Sequence, residues 1–220
     1  MFIKEDYIMR TIRQITLVLA RILGLKNKKR YEEGLQITNE TLKKHIGLDS
    51  KTVDLLSYKD LIKMISYGND IDISKGIALC EMLTVEGDIY ALQNCFLESY
   101  SRYLKSLNIY IKMIMENNTG YDLTSYIHKI EDIVTKLKGY KLSVEVQLNL
   151  FNYYETIGKY SKAEDIIFEL LEDDIESKKE IVNIAIAFYK RLSNKPKEDL
   201  INGNLPIDEV YESRAELEGK

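Results

Sequence analysis

Apolar residues recur along this chain at the spacing of helix faces. In residues 5–25, Ile8, Ile12, Ile15, Leu19 and Ile22 follow one another at intervals of four and three, while Arg10, Arg13, Gln14 and Arg21 fall off that stripe. At 3.6 residues per turn such positions gather on one side, so the segment predicts an amphipathic helix. Gly24 and the basic turn "KNKKR" close it. Residues 31–46 predict a second helix returning antiparallel, stopped by Gly47, because glycine enters the left-handed conformation of a helix end without a Cβ penalty. "LDSKTVDLLSYKDLIKMISYG" predicts one or two short helices, with Asp49 or Ser50 and Ser57 placed to cap first-turn amides.

"GNDIDIS" (68–74) is the expected boundary. Its Ile71/Ile73 alternation is too short for a strand and has no partner run nearby. Ser74 is expected to cap a helix reaching about Val85, "EGD" to turn the chain, and a long helix to run from Ile89 to about Asn117. That helix carries a stripe of Leu92, Phe96, Tyr100, Tyr103, Leu107, Ile111 and Ile114. After the turn "NNTGYD", Asp122 or Thr124 opens a helix to Leu137. Helices follow at 144–157 and 161–171, separated by Gly158. An acidic turn "EDDIES" precedes a helix from Glu176 or Ser177 to Leu192, and a charged helix at 207–217 follows the loop "NGNLP". The expected organisation is 1–67 as a helical hairpin plus short helices, 75–195 as helical repeats, and 196–220 as a tail with a short helix. Proline agrees with this helical reading: only Pro196 and Pro206 occur, so nothing of that kind interrupts residues 1–195.

The stretch "YYETIGKYSKAEDIIFELL" (153–171) resembles a tetratricopeptide unit, two antiparallel helices joined by a tight turn. Leu150 and Tyr154 fall on the inner face of its first helix, Gly158 in the turn, and Tyr160 two residues later. Ala163 falls where the helices cross, and Ile167 and Leu170 on the second core face. Phe151 and Leu170 are larger than that family's usual residues, and no proline closes the unit. Weaker echoes lie at 77–96, with small Cys80 and a turn at Gly87, and at 30–42, with Gly34 at the crossing. The resemblance implies an all-α fold of antiparallel helical hairpins stacked as a degenerate tetratricopeptide-like array. The N-terminal text "EDYIMRTIRQITLVLARILGL", then "RYEEGLQITNETLKKHIGLDSKTVDLLSYKDLI", resembles the start of a family of uncharacterised small proteins from Gram-positive bacteria. That second resemblance implies origin and fold, not chemistry.

Charge adds one feature. Residues 1–30 hold eight Lys/Arg against Glu5 and Asp6, a balance of +6, which leaves −10 for the rest of a chain of net charge −4. Such asymmetry offers a candidate polyanion contact at Arg10, Arg13, Lys26, Lys28, Lys29 and Arg30. The "TLKKHIGLDSKTVDLL" segment (41–56) has the layout of a helix-turn-helix, but its second helix sets Lys51 against Asp49 and Asp54, the wrong sign for facing phosphates.

Catalytic chemistry finds little footing. His45 and His128 stand apart, in no zinc-protease pattern, and Cys80 and Cys95 lack metal-ligand spacing and read as reduced thiols. The acidic runs 69–72 and 172–174 read as solvated turns, and there is no glycine-rich phosphate loop or nucleophile elbow. No catalytic, cofactor or metal residue is assigned, and a non-enzymatic protein is expected. The apolar run "ITLVLARILGL" is interrupted by Arg21 and too short to span a bilayer, and no leader is recognised, so a cytoplasmic location is expected.

The leading expectation is an adaptor or scaffold that takes a protein or peptide on a concave helical surface, with Tyr103, Tyr110, Tyr126 and Tyr153 as candidate contacts. The alternative is nucleic-acid or membrane-surface binding through the basic N-terminal helix. Both of those partners are disfavoured, and self-association is left open.

Overall fold

The computed structural model describes residues 2–68, 70–118, 120–172 and 178–218, with side chains from residue 6 onward. Among the described residues the chain is all-α: twelve helices, one 3-10 turn and a two-residue antiparallel ladder. It divides into two compact units, residues 1–140 and 141–220.

In the first unit, α1 (Phe2–Asn27) and α2 (Tyr31–Ile46) form the expected hairpin. Gly47 ends α2 at φ 82°, its N–H returning to the carbonyls of Leu42 and Lys43. Two short helices follow, α3 (Ser50–Leu55) and α4 (Tyr58–Met64). Asp49 accepts from the amide of Thr52 and Ser57 from that of Asp60, as the cap pattern requires. The ladder pairs β1 (Ser66–Tyr67) with β2 (Asp70–Ile71), so the alternation at Ile71 does have a partner, the residues just before it. Asn69 and Thr119 lie outside the described residues.

The largest departure from the sequence reading is α5 (Ile73–Leu92). It is capped by Asp72 rather than Ser74, and it runs straight through "EGD". The chain turns instead at Gln93–Cys95, where Asn94 takes φ 61°, before α6 (Phe96–Met115). Glycine at 87 therefore does not make a turn. A Cβ there would lie 2.6 Å from Cε1 of Tyr103, so the residue is small because α6 crosses α5 closely. With no turn at Gly87, the 77–96 echo of a helical repeat dissolves. Gly34 does sit at a close crossing, but with α5 rather than with its hairpin partner α1: its Cβ would come within 2.9 Å of Ile89 and no nearer than 3.7 Å to Ile22.

α5 is apolar around most of its circumference, and most of its residues are buried. α1, α2 and α6 pack on it, and α7 (Ile127–Lys136), entered through the 3-10 turn Thr124–Tyr126, packs on α6. The 68–74 stretch thus leads directly into the central helix of this unit, and the division falls at 140/141 rather than there. α7 runs parallel to α5, since Lys129 reaches Glu81 and Lys136 reaches Asp88. α1 does too, because its antiparallel partner α2 runs against α5, with Gly34 at Ile89 and Thr38 at Glu86.

The second unit begins with α8 (Val144–Thr156) and α9 (Tyr160–Glu172), joined at Gly158, φ 74°. Ala163 is fully buried at their crossing, and Leu150, Tyr154, Ile167 and Leu170 are buried as the hairpin reading places them. α10 (Lys178–Leu192) follows; the "DDIES" part of the acidic turn and the proposed helix start at Glu176 or Ser177 lie outside the described residues. Residues 196–218 are no loose tail. α11 (Lys197–Asn202) and α12 (Ile207–Glu218) fold back, α12 packs along α10, and Leu200, Leu205 and Val210 are fully buried.

Candidate functional site

The stripe on α1 is wider than its neighbours cover. Ile8, Ile15 and Ile22, seven residues apart, are buried, whereas Ile12 and Leu19 stay half-covered and Leu23 is 55% exposed. These face a groove whose other wall is α7 and whose floor is α5. It contains two adjoining hollows of about 300 and 400 Å³, which share Thr16, Leu19, Glu81 and Lys129.

A three-and-four spacing runs along each wall: Ile12, Thr16, Leu19, Leu23 and Lys26 on α1, Ile77, Glu81, Thr84 and Asp88 on α5, and Lys129, Asp132 and Lys136 on α7, with Ile15, Ala20, Ile22, Val85 and His128 lining the hollows beside them. Steps of three and four residues on parallel helices are the spacing of a helical-bundle seam, the pattern with which one helix packs lengthwise into others.

The floor is polar but internally paired. Glu81, nearly buried, accepts from the Tyr110 hydroxyl at 3.0 Å and from Lys129 Nζ. Asp88 accepts from Lys26 at 2.8 Å, from Tyr103 at 2.7 Å and from Lys136. Burial pushes the Asp88 carboxyl up, but the two ammonium groups and the hydroxyl outweigh it and hold the group below the usual carboxylate range. Burial, then the hydrogen bond to Asp88, pushes the Tyr103 phenol well up, so it stays a donor.

These contacts correct the expected binding tyrosines. Tyr103, Tyr110 and Tyr153 are 5%, 1% and 0% exposed, and Tyr126 is half-buried with its ring against Tyr110. Tyr103, Tyr110 and Tyr153 are core residues, and the hydroxyls of the first two satisfy floor carboxylates, whereas Tyr126 lines the smaller hollow. Tyr153 belongs to the second unit, where it packs beside Tyr154. Of the basic residues, Arg10, Arg13, Lys28 and Lys29 are exposed, Lys26 is tied to Asp88, and Arg30 is paired with Glu33. His128 is exposed at the mouth of the smaller hollow. His45 is half-buried on α2, its imidazole pKa lowered by burial and by Lys44.

A second buried cluster locks the opposite side of α5. Glu86 accepts from Thr38 at 2.8 Å and from Ser50, and faces Arg102 at 2.8 Å. Arg102 also reaches Asp54, and Lys105 donates to the carbonyl of Val53 at 3.0 Å. It fastens α3 to α2, α5 and α6.

Among the described residues no group of three His, Cys, Asp or Glu side chains is placed to hold a metal, and no helix is long and apolar enough to cross a membrane. Fold and site together define an all-α protein with an open, three-walled helical groove. The chain belongs to a family of unknown function, DUF6483, whose sequence model matches residues 2–220. Comparison with curated proteins and with solved structures returned no match.

Proposed function

We propose that this protein binds another protein by taking one of its helices into the groove between α1 and α7. The observation that supports this is the shared three-and-four spacing on all three walls, together with α1 apolar side chains that the first unit itself leaves half-covered. A helix laid parallel to α5 would cover what remains exposed of Ile12, Leu19 and Leu23, about half of the roughly 1.5–3 kcal/mol that full burial of each is worth. The groove is read as a binding rather than a catalytic site because its carboxylates are already neutralised by Lys26, Lys129 and Lys136. On this reading the adaptor role belongs to the first unit. In the second unit, α12 packs along α10. The tetratricopeptide-like resemblance accordingly contributes the 144–172 hairpin and no concave surface to this reading.

The wall from Ile12 to Lys26 is about 21 Å long at 1.5 Å per residue, so the test uses helical peptides of roughly 18 residues. Peptides are selected by display on the full-length chain, then measured on the wild type and on Ala20→Trp, which fills the larger hollow from an exposed position. Selected sequences should carry apolar residues at steps of three and four, become helical when bound, and lose binding to Ala20→Trp. Recovered peptides without that period, or with affinity untouched by the tryptophan, overturn the proposal.

A further inference from the structure

We infer that the helix accepted by the groove carries an acid–base–acid edge along α7: two carboxylates two turns apart with a lysine or arginine between them. This rests on the groove reading above and names the partner's chemistry.

The three walls differ in what they offer. α1 contributes mostly apolar side chains, Ile12, Leu19, Ala20 and Leu23. The floor carboxylates Glu81 and Asp88 are held by groups of this chain, so they ask nothing of a ligand. Charge directed outward is left to α7, where Lys129, Asp132 and Lys136 stand at positions i, i+3 and i+7. Lys129 and Lys136 each keep 35% of the side chain exposed while bonding the floor. An ammonium has three donors, so each can hold a floor carboxylate and a second one on a partner. Asp132 is exposed between them.

Positions that flank an apolar seam choose partners by sign. Opposite charges fix register and orientation, and like charges exclude the wrong helix more strongly than right ones add affinity. The plus–minus–plus edge of α7 therefore selects minus–plus–minus. It also disfavours a second copy of α7 laid along the same edge in matching register, which would set like charges opposite one another.

Two synthetic peptides of identical apolar face test this, one with Glu, Lys and Glu on the flank and the other with Lys, Glu and Lys. Their affinities are read by fluorescence anisotropy on the full-length wild type and on Asp132→Lys, an exposed change that leaves both floor clusters intact. The wild type should prefer the acid–base–acid peptide by about tenfold at low salt, less at high salt, and Asp132→Lys should narrow the gap by weakening that peptide. Equal affinities, or a preference for the reversed edge, overturn the charge assignment while leaving the groove as a helix site. If neither peptide binds, the groove reading falls and the edge with it.

Discussion

Arg102 Nε lies 2.8 Å from Glu86 Oε2 with both side chains out of water, 5% and 0% exposed. Because Glu86 also accepts from Thr38 and Ser50, and Arg102 also reaches Asp54, one ion pair joins α2, α3, α5 and α6. Removing one partner leaves a charge buried without its counterion. Arg102→Met should therefore lower stability by about 3–5 kcal/mol in urea unfolding. Removing both charges, as in Glu86→Leu with Arg102→Met, should recover much of that loss, because desolvating the pair offsets most of its attraction. A double variant no more stable than Arg102→Met would show that the cluster acts through its hydrogen bonds to Thr38 and Ser50 instead.

Two helical glycines should respond to alanine with opposite signs. At Gly24, an added Cβ meets nothing within 4 Å, so the better helix former should gain about 0.5–1 kcal/mol. At Gly87, the same Cβ would fall 2.6 Å from the Tyr103 ring, whose hydroxyl is held by Asp88 and cannot swing clear without giving up that bond. Overpacking there costs about 1–3 kcal/mol and outweighs the helix gain. Thermal unfolding of both variants checks the signs, and a stabilised Gly87→Ala would mean that α6 yields more readily than its packing implies.

The contrast at these glycines shows what the sequence made legible. Helix ends with local chemistry, such as Gly47, Asp49, Ser57 and Gly158, could be placed because the cap lies within a few residues of what it caps. Gly87 reads as a turn in the sequence because glycine serves both turns and close crossings, and only the position of Tyr103 decides between them. The largely apolar character of α5 hid its length in the same way: a helix buried around most of its circumference has no continuous polar face to mark its period. The groove left a partial trace, since α1 has more apolar positions than one antiparallel neighbour covers. Its floor left none: Lys26, Asp88 and Lys136 are far apart in the chain and meet only through packing. Tyrosine misled for a related reason, because its amphipathic side chain suits a buried carboxylate partner as well as a binding face.

The two units should show opposite pH slopes at their best-connected carboxylates. Asp88 is held below its ordinary pKa, so its contribution is present at neutral pH and is lost as pH falls through and below the carboxylate range. Glu164 is pushed up by burial, against hydrogen bonds from Tyr189 and Ser213. Its neutral form is favoured in the fold, so its contribution is complete in acid and declines as pH rises through the raised value. Hydrogen exchange of variant minus wild type, at acid and neutral pH, separates the two. Asp88→Asn should deprotect the first unit most at neutral pH. Glu164→Gln, which keeps an acceptor for Tyr189, should gain protection in the second unit as pH rises. Slopes of the same sign in both would contradict these assignments.

Gly203 sets the last test, because it decides whether residues 196–218 are structural. Its carbonyl accepts from the Ser161 amide at 3.0 Å, and a Cβ on it would lie 2.3 Å from the Tyr160 ring and 2.7 Å from the Gly158 carbonyl oxygen. A backbone oxygen in a tight turn cannot rotate aside as a side chain can. Gly203→Ala should therefore cost about 1–3 kcal/mol and pull the loop away from the α8–α9 turn. That would uncover Leu200 and Leu205, both fully buried, and loosen α12 on α10. Limited proteolysis reads this directly: cleavage after residue 195 should be faster in Gly203→Ala than in the wild type. A neighbouring control, Asn204→Gly, relaxes a residue at φ 55° and should leave the cleavage rate unchanged. Equal rates in all three proteins would mean that α11 and α12 are held by their apolar contacts alone, with the Gly158–Tyr160–Gly203 closure contributing nothing.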